Sequence, residues 1–493
     1  MMKLANKSVL VLGLGETGLS LVRWLTMHGA QLRVADSRDH PPALLEAHTE
    51  FPELEVHCGE FHDNLLTGIE LIAISPGVPL QQPFVQRAAA RGMAIVGDVE
   101  LFAQAFNARH FFHVPPSNPS SLPAASEYSD PAQPPTVPKI IAITGSNGKS
   151  TVTDMVGQMC RAAGCNTVVA GNISPAVLDA DLRVSAESTS ALQNRVWVLE
   201  LSSFQLETTS SLNANAATVL NISEDHLDRY SDMRAYSTAK ARIFQGNGVQ
   251  VLNRDDPLSM AMELLGRTHI SFGLSEPVGK LDWGISHTAD GIWLMQGQRR
   301  ILPASNLQIA GLHNVANALA ALALCCSINV PLPPLLRALR CYQGLPHRVE
   351  RVAEINNVQY YDDSKGTNVG ATVAALQGLQ RPTILIAGGE GKGQDFSPLL
   401  PAVSKHARGV VLIGRDAPRI AIALQGCGVP IHYAPDMQSA VRQAAALAQA
   451  GDAVLLSPAC ASFDMFKNYV HRASVFISAV QALQEESVCF PPA

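Results

Sequence analysis

The heptapeptide Gly145-Ser146-Asn147-Gly148-Lys149-Ser150-Thr151 carries the residue types needed to hold a chain of phosphates. It follows the apolar run Ile140 to Ile143 and leads into an apparent helix from Val152. In that setting backbone N–H groups and a helix N-terminus converge on an anion. The glycines allow close backbone approach, Lys149 can reach the β- and γ-phosphates, and Ser150 can ligate Mg²⁺. A full Walker pattern would place glycine where this chain has Ile143, so the loop is a shortened variant. Its chemistry is that of an ATP-using enzyme.

Magnesium beside phosphates calls for hard oxygen ligands. The strand-like run Arg195 to Glu200 ends in a carboxylate, which makes Glu200 the candidate metal ligand. A second run, Ala217 to Ile222, opens into Ser-Glu-Asp-His-Leu-Asp-Arg-Tyr, where His226 is placed for a metal or substrate role. Lys240, in Ser-Thr-Ala-Lys-Ala-Arg-Ile-Phe, reads by itself as one more exposed helical lysine. Asn314 and Asn317 share one face of an otherwise apolar helix, Leu312 to Cys326, at i, i+3 spacing. Amides buried there need a partner, and an adenine ring or ribose could supply one.

A second glycine-rich turn lies near the start. Gly13-Leu14-Gly15-Glu16-Thr17-Gly18 fits G-x-G-x-x-G after a strand and before a helix, and Asp36 follows at the usual distance. Alone it favours NAD or FAD and a hydride-transfer enzyme. The pattern itself says only that a diphosphate can sit on the turn, and a nucleotide sugar carries the same group. Ser75-Pro76-Gly77, after a later strand, is a second backbone turn able to touch it. The ATP loop decides between the two readings, because an oxidoreductase has no need of it.

These motifs require elements to position them. With 493 residues, 47% hydrophobic and 16% charged, the chain suits about three globular domains. The first block opens with the strand Ser8 to Leu12 and an amphipathic helix from about Leu19 to His28, followed by the strands Gln31 to Asp36 and Glu70 to Ser75. Such alternation implies a parallel sheet covered by helices. Residues 111–138 are rich in proline and serine, which excludes a helix or central strand and reads as a linker or surface insertion. The second block runs from Lys139 through Ala-rich helices to about Leu345. The third, from about Pro346, contains the strands Thr383 to Ala387, Gly409 to Ile413 and Ala453 to Leu456.

A net charge of −6 argues against nucleic acid or an anionic membrane as the main partner. No apolar run reaches the ~20 residues needed to cross a bilayer. The start shows no apolar signal core. Nine scattered cysteines without a Cys-x-x-Cys pair point to a reduced, cytoplasmic protein with neither disulfides nor structural zinc.

Taken together, Thr-Gly-Ser-Asn-Gly-Lys-Ser-Thr, Gly171-Asn172-Ile173, Glu200-Leu-Ser-Ser-Phe-Gln205, Asp225-His226-Leu-Asp-Arg-Tyr, Gly311-Leu-His-Asn314-Val-Ala-Asn317 and His347-Arg348 resemble the Mur ligase family over nearly the whole chain. Three further features resemble its D-glutamate-adding branch: Gly-Leu-Gly-Glu-Thr-Gly-Leu-Ser at the start, Asp363-Ser-Lys-Gly-Thr-Asn368, and Ser457-Pro-Ala-Cys-Ala-Ser-Phe-Asp-Met-Phe-Lys467. The resemblance implies an α/β fold of three domains. They are a Rossmann-like domain at 1–110 for the UDP substrate, a central P-loop ATP-binding domain at 139–345, and a Rossmann-like amino-acid-binding domain at 346–493.

The same resemblance implies a reaction. ATP would phosphorylate the L-alanine carboxylate of UDP-N-acetylmuramoyl-L-alanine, and the amine of D-glutamate would displace phosphate from the acyl phosphate. Lys149, Ser150 and two Mg²⁺ ions would neutralise charge. Glu200 would hold the first metal; His226 and a Lys240 carbamylated by CO₂ would support the second. Gly15, Glu16, Thr17, Asp36, Ser37, Arg38, Ser75, Pro76 and Gly77 would hold the uridine diphosphate, with Asn172 and Gln205 on the muramoyl-alanine part. Asn314, Asn317, Arg348 and Asp363 would contact ATP. Lys365 would lie near the forming charge, and Thr367, Lys392, Ser462 and Tyr469 would complete the D-glutamate pocket. A monomer is expected, and so is domain closure, because an acyl phosphate must be kept from water and loops from three domains must meet. A diaminopimelate- or lysine-adding ligase should carry an Asn-Pro-Arg-type motif that is not found. A folylpolyglutamate synthase should show an Asp-Gly-Ala-His-Asn-type stretch in place of Asp-Asp-Ser-Lys-Gly-Thr-Asn.

Overall fold

The computed structural model describes residues 4–110, 138–187, 194–225, 229–309, 311–379 and 381–489. The Pro/Ser-rich segment and His226 lie outside the described residues.

Three sheets are built in chain order. The first consists of β1 (Ser8–Leu12), β2 (Gln31–Asp36), β3 (Glu55–Cys58), β4 (Leu71–Ile74) and β5 (Ala94–Val96). Its strands are all parallel, in the order β3-β2-β1-β4-β5. The strand order reverses at β1, so the glycine turn after it and the turn after β4 meet at the crevice where doubly wound sheets bind ligands. The first helix spans Glu16–Met27, three residues earlier than periodicity alone places it. Only the turn geometry fixes that start: Gly18 packs so closely that a Cβ would lie 2.0 Å from the Gly13 carbonyl oxygen.

The second sheet has nine strands: β6 (Lys139–Thr144), β7 (Asn166–Gly171), β8 (Arg195–Glu200), β9 (Ala216–Val219), β10 (Val249–Asn253), β11 (His269–Phe272), β12 (Trp283–Thr288), β13 (Gly291–Gln296) and β14 (Arg299–Pro303). Their order is β14-β13-β12-β11-β10-β9-β6-β8-β7. The last three form an antiparallel meander, where sequence patterning predicts only Ala-rich helices. Ala289-Asp290 turns the first hairpin, and Gly291, at φ +111°, pairs with Thr288 across it. The core strands set the active-site register: Glu200 pairs with Ile143 on one side and Gly171 on the other. The carboxylate is therefore carried to the root of the phosphate loop.

The third sheet comprises β15 (Glu350–Ile355), β16 (Val358–Asp362), β17 (Thr383–Gly388), β18 (Ala407–Ile413), β19 (Ile431–Tyr433) and β20 (Ala453–Leu456), in the order β15-β16-β20-β17-β18-β19. Only β15 runs antiparallel to its neighbour.

Burial separates these units unequally. One apolar cluster joins the first two, running from Trp24 and Phe102 to Val177 and Trp197, with the Phe102 and Trp197 rings 4.7 Å apart. The two clusters that flank the third sheet draw only on that sheet and its own helices and loops. Apolar burial thus welds the first two units together and leaves the third attached through polar loops and the helix Val369–Leu379. Cys325 and Cys326 are buried, as small apolar residues would be. Among the described residues, no helix is long and apolar enough to cross a membrane.

Candidate active site

The phosphate loop is shaped before any ligand arrives. Gly148 sits at φ +80° at the start of the helix Lys149–Ala162, and a Cβ there would lie 2.7 Å from Asn317 Oδ1. Only glycine meets both demands. Asn221 clamps the loop: its carbonyl accepts from Ser146 N at 2.8 Å, its Oδ1 accepts from Asn147 N at 2.8 Å, and its Nδ2 donates to the Asn147 carbonyl at 3.1 Å. Sequence reasoning missed Asn221, because a lone amide after a strand carries no motif. Lys149 Nζ folds over the loop and donates to the Gly145 and Ser146 carbonyls, each at 2.9 Å. Burial lowers its pKa, while the charges of Glu200 and Asp225 oppose that shift.

Beneath the loop lies a second amine. Lys240 is 1% exposed, which corrects the expectation of a surface lysine. Its Nζ donates to the Gly145 carbonyl at 2.9 Å and to Thr144 Oγ1 at 3.3 Å, and it lies 4.7 Å from the centre of the Tyr236 ring. Burial, and then the charge of Lys149, push its pKa well below the ordinary lysine value. Glu200 is also buried. Its Oε1 accepts from Asn172 Nδ2 at 2.7 Å, while its buried Oε2 has no hydrogen-bond partner among the described residues. A carboxylate oxygen buried beside a phosphate loop without a donor suits a divalent cation.

Loops of the third sheet close the site from the other side. Arg348 Nη2 donates to Ser150 Oγ at 3.0 Å, linking the third unit to the phosphate loop. Asp363 is buried beside it, and desolvation raises its pKa to about 7 against the hydrogen bond from Ser457 Oγ and the Arg348 charge. Lys365 Nζ stands 3.8 Å from the centre of the Tyr469 ring. A cavity of about 560 Å³ lies between the two sides. Lys149, Ser150, Asn172 and Glu200 line one wall; Arg348, Lys365, Thr367, Lys392 and Tyr469 line the other. A smaller recess of about 160 Å³ joins Gly148 and Thr151 to Asn314, Asn317 and Asp363. Within it Asn317 Nδ2 donates to Asn314 Oδ1 at 3.2 Å, so the expected amide pair forms.

Ser462 is buried, next to the cavity-lining Ala461. One expected residue faces elsewhere. Gln205 caps its own helix with Ser202 and donates from Nε2 to Asp98 Oδ2 at 3.0 Å. That bond joins the first two units, and it carries a testable consequence. Burial raises the Asp98 pKa to about 6, so the folded state keeps a proton that the unfolded chain releases at lower pH. Stability from this group is therefore present at low pH and lost as pH rises through 6. Asp98→Asn should become more stable relative to wild type by about 2 kcal/mol between pH 4 and 7. Urea midpoints at both pH values check it, and a pH-independent difference would count against the buried carboxyl.

At the first sheet, Asp36 accepts from the Leu14 amide at 2.7 Å and from Arg38 Nε and Nη2 at 2.8 and 2.6 Å. Burial alone would raise its pKa, but these bonds outweigh it and bring the pKa to about 2. Ser75 Oγ donates to the Gly13 carbonyl at 3.1 Å, so the two turns form one wall. Gly15 begins the helix Glu16–Met27 without a side-chain cap, leaving backbone N–H groups facing that wall.

Comparison with known proteins bears directly on this arrangement. The chain matches the Mur ligase MurD-like N-terminal domain at residues 7–97, the Mur ligase middle domain at 143–325 and the Mur ligase glutamate ligase domain at 347–460. It belongs to the Mur ligase family. A UDP-N-acetylmuramoylalanine–D-glutamate ligase of Nitrosospira multiformis is 53% identical over 98% of this chain and 97% of its own length. The protein of the same description from Methylobacillus flagellatus is 55% identical over 99% and 100%. Among solved structures, the UDP-N-acetylmuramate–alanine ligase of Thermotoga maritima matches 97% of this chain and 99% of its own, at TM-score 0.55 and 16% identity, a likeness of fold. The chain is thus a Mur ligase of three α/β units, and membership of this family makes it an ATP-dependent ligase.

Proposed function

We propose that this ligase joins D-glutamate to UDP-N-acetylmuramoyl-L-alanine, in the cytoplasmic synthesis of peptidoglycan precursors. The observation that carries the reading is the two-sided cavity: a phosphate loop with Lys149 and Glu200 on one wall, and Lys365 and Lys392 on the other. A polyphosphate and a dicarboxylate amino acid each meet cations there.

The L-alanine carboxylate attacks the γ-phosphorus of ATP, and the bond to ADP breaks. Lys149 and Arg348 balance the charge of the transferring group, which needs positioning more than covalent help. The D-glutamate amine then attacks the acyl carbon, phosphate leaves with the bonding electrons, and the nitrogen loses a proton. Lys365 lies on the wall facing Lys149 and stabilises the tetrahedral charge, while Lys392 pairs with a carboxylate of the incoming amino acid. Thr367 and Tyr469 shape that pocket. Asn172, held by Glu200, faces the muramoyl-alanine end. Glu200 and Ser150, with His226 and a carbamate on Lys240, would hold Mg²⁺. Bound there, Mg²⁺ offsets phosphate charge as a Lewis acid.

Phosphate release in the presence of UDP-N-acetylmuramoyl-L-alanine and ATP tests the reading. D-Glutamate should support turnover at least about a hundredfold faster than L-glutamate or diaminopimelate. Equal rates with all three, or none with D-glutamate, would sink the assignment.

A further inference from the structure

Arg229 belongs to none of the expected site residues, yet it crosses from the second unit to the first at the substrate turn. Its Nη1 and Nη2 donate to the Gly77 and Pro76 carbonyls at 3.4 Å each. Both bonds are at the long limit of hydrogen-bond geometry. Nε is out of contact with solvent and has no hydrogen-bond partner among the described residues. The guanidinium lies 4.1 Å over the Phe204 ring, which in turn stacks on Tyr230 at 6.0 Å and 15°. A permanent cation is therefore held flat and rigid, with weak donors directed at one turn.

We propose that Arg229 is a substrate-binding residue that contacts the diphosphate of the uridine nucleotide. This rests on the reading of the first sheet as the uridine-nucleotide site. The Gly13–Gly18 turn and Ser75–Gly77 form one wall, through the Ser75 bond to Gly13, and offer backbone donors. Backbone N–H groups orient a diphosphate but leave its two charges uncompensated. Arg229 supplies a planar fork of N–H groups suited to phosphate oxygens, and its two long carbonyl bonds cost little to exchange. Phe204 acts as a positioning residue by fixing the plane of the fork. Because Arg229 comes from the second unit, the diphosphate would bridge the unit that holds the nucleotide and the unit that activates the sugar's L-alanine carboxylate.

The test is steady-state kinetics of the full enzyme with UDP-N-acetylmuramoyl-L-alanine, ATP and D-glutamate, with UDP added as a competitive inhibitor. In Arg229→Ala, the KM for the uridine nucleotide and the inhibition constant of UDP should each rise at least about tenfold. The KM values for ATP and D-glutamate should stay within about twofold, and Arg229→Lys should recover part of the loss. Phe204→Leu should give a smaller rise in the same two constants. If all three KM values rise together, Arg229 only supports the fold; if UDP inhibits variant and wild type alike, it does not touch the diphosphate. Either result overturns the proposal. Wild type that turns over yet ignores UDP would remove the uridine reading of the first sheet, and this inference with it.

Discussion

Lys149→Ala is expected to lower kcat/KM by at least about a thousandfold while leaving the circular-dichroism spectrum and the melting transition nearly unchanged. Removing a single preorganised donor from a developing oxyanion costs about two to three orders of magnitude, and Lys149 also contributes a full charge. Its Nζ rests on two carbonyls of the loop itself, so it is aimed before ATP binds. Burial has already removed part of its hydration, which makes a phosphate oxygen a better partner than water. When the amine is deleted, the Gly145 carbonyl keeps its bond from Lys240 Nζ and the Ser146 carbonyl borders the cavity, so folding should survive. Lys149→Arg should not restore activity, because the longer planar group cannot sit within 2.9 Å of both carbonyls and reach the same point. A variant that binds ATP poorly but turns over normally at saturation would show that Lys149 holds the ground state only.

How legible each part was depends on how local its cause is. The phosphate loop could be read because its geometry is set by the residues that spell it: Gly148 is needed at one φ, and Lys149 follows in the next turn. The Gly13–Gly18 turn was legible for the same reason. Asn221 is not, since its clamp on the loop depends on β9 lying beside β6, a pairing no local pattern announces. The meander Trp283–Pro303 escaped because short runs such as Gly-Ile-Trp-Leu-Met-Gln do not separate strand from helix by period. Gln205 matches a motif, yet its side chain spends its bonds on a helix cap and on Asp98 of the neighbouring unit. The polar attachment of the third unit also lies beyond sequence reading, although it bears on the expectation of domain closure. The first two units share an apolar core, whereas the third meets the second through polar loops and the helix Val369–Leu379, so Arg348 can leave Ser150 at smaller cost.

Lys240 is the sharpest case of a residue whose meaning changes with burial, and Lys240→Ala should reduce turnover by at least about a thousandfold with partial recovery in acetate. An exposed lysine would stay protonated at neutral pH and would not react with CO₂. This one is 1% exposed, and burial together with the charge of Lys149 drives its pKa far down. The neutral amine is therefore easier to reach than that of an exposed lysine. Its lone pair can then form an N–C bond to CO₂ while a proton leaves, converting a base into an anionic oxygen ligand. Glu200 and Asp225 act electrostatically on Lys240. A carbamate would add a third anionic group to a site that must hold divalent cations against polyphosphate. Acetate is small enough to enter the space left by the side chain and can return a carboxylate there. The measurement is phosphate release by Lys240→Ala across an acetate series, beside uptake of isotope-labelled bicarbonate by wild type followed by NMR. Restoration by acetate but not by chloride at equal ionic strength, with a carbamate signal lost in the variant, is the expected pair of results. A folded variant that no small acid rescues, together with a wild type that takes up no label, would return Lys240 to a simpler role, that of an amine holding the Gly145 carbonyl and the base of the loop.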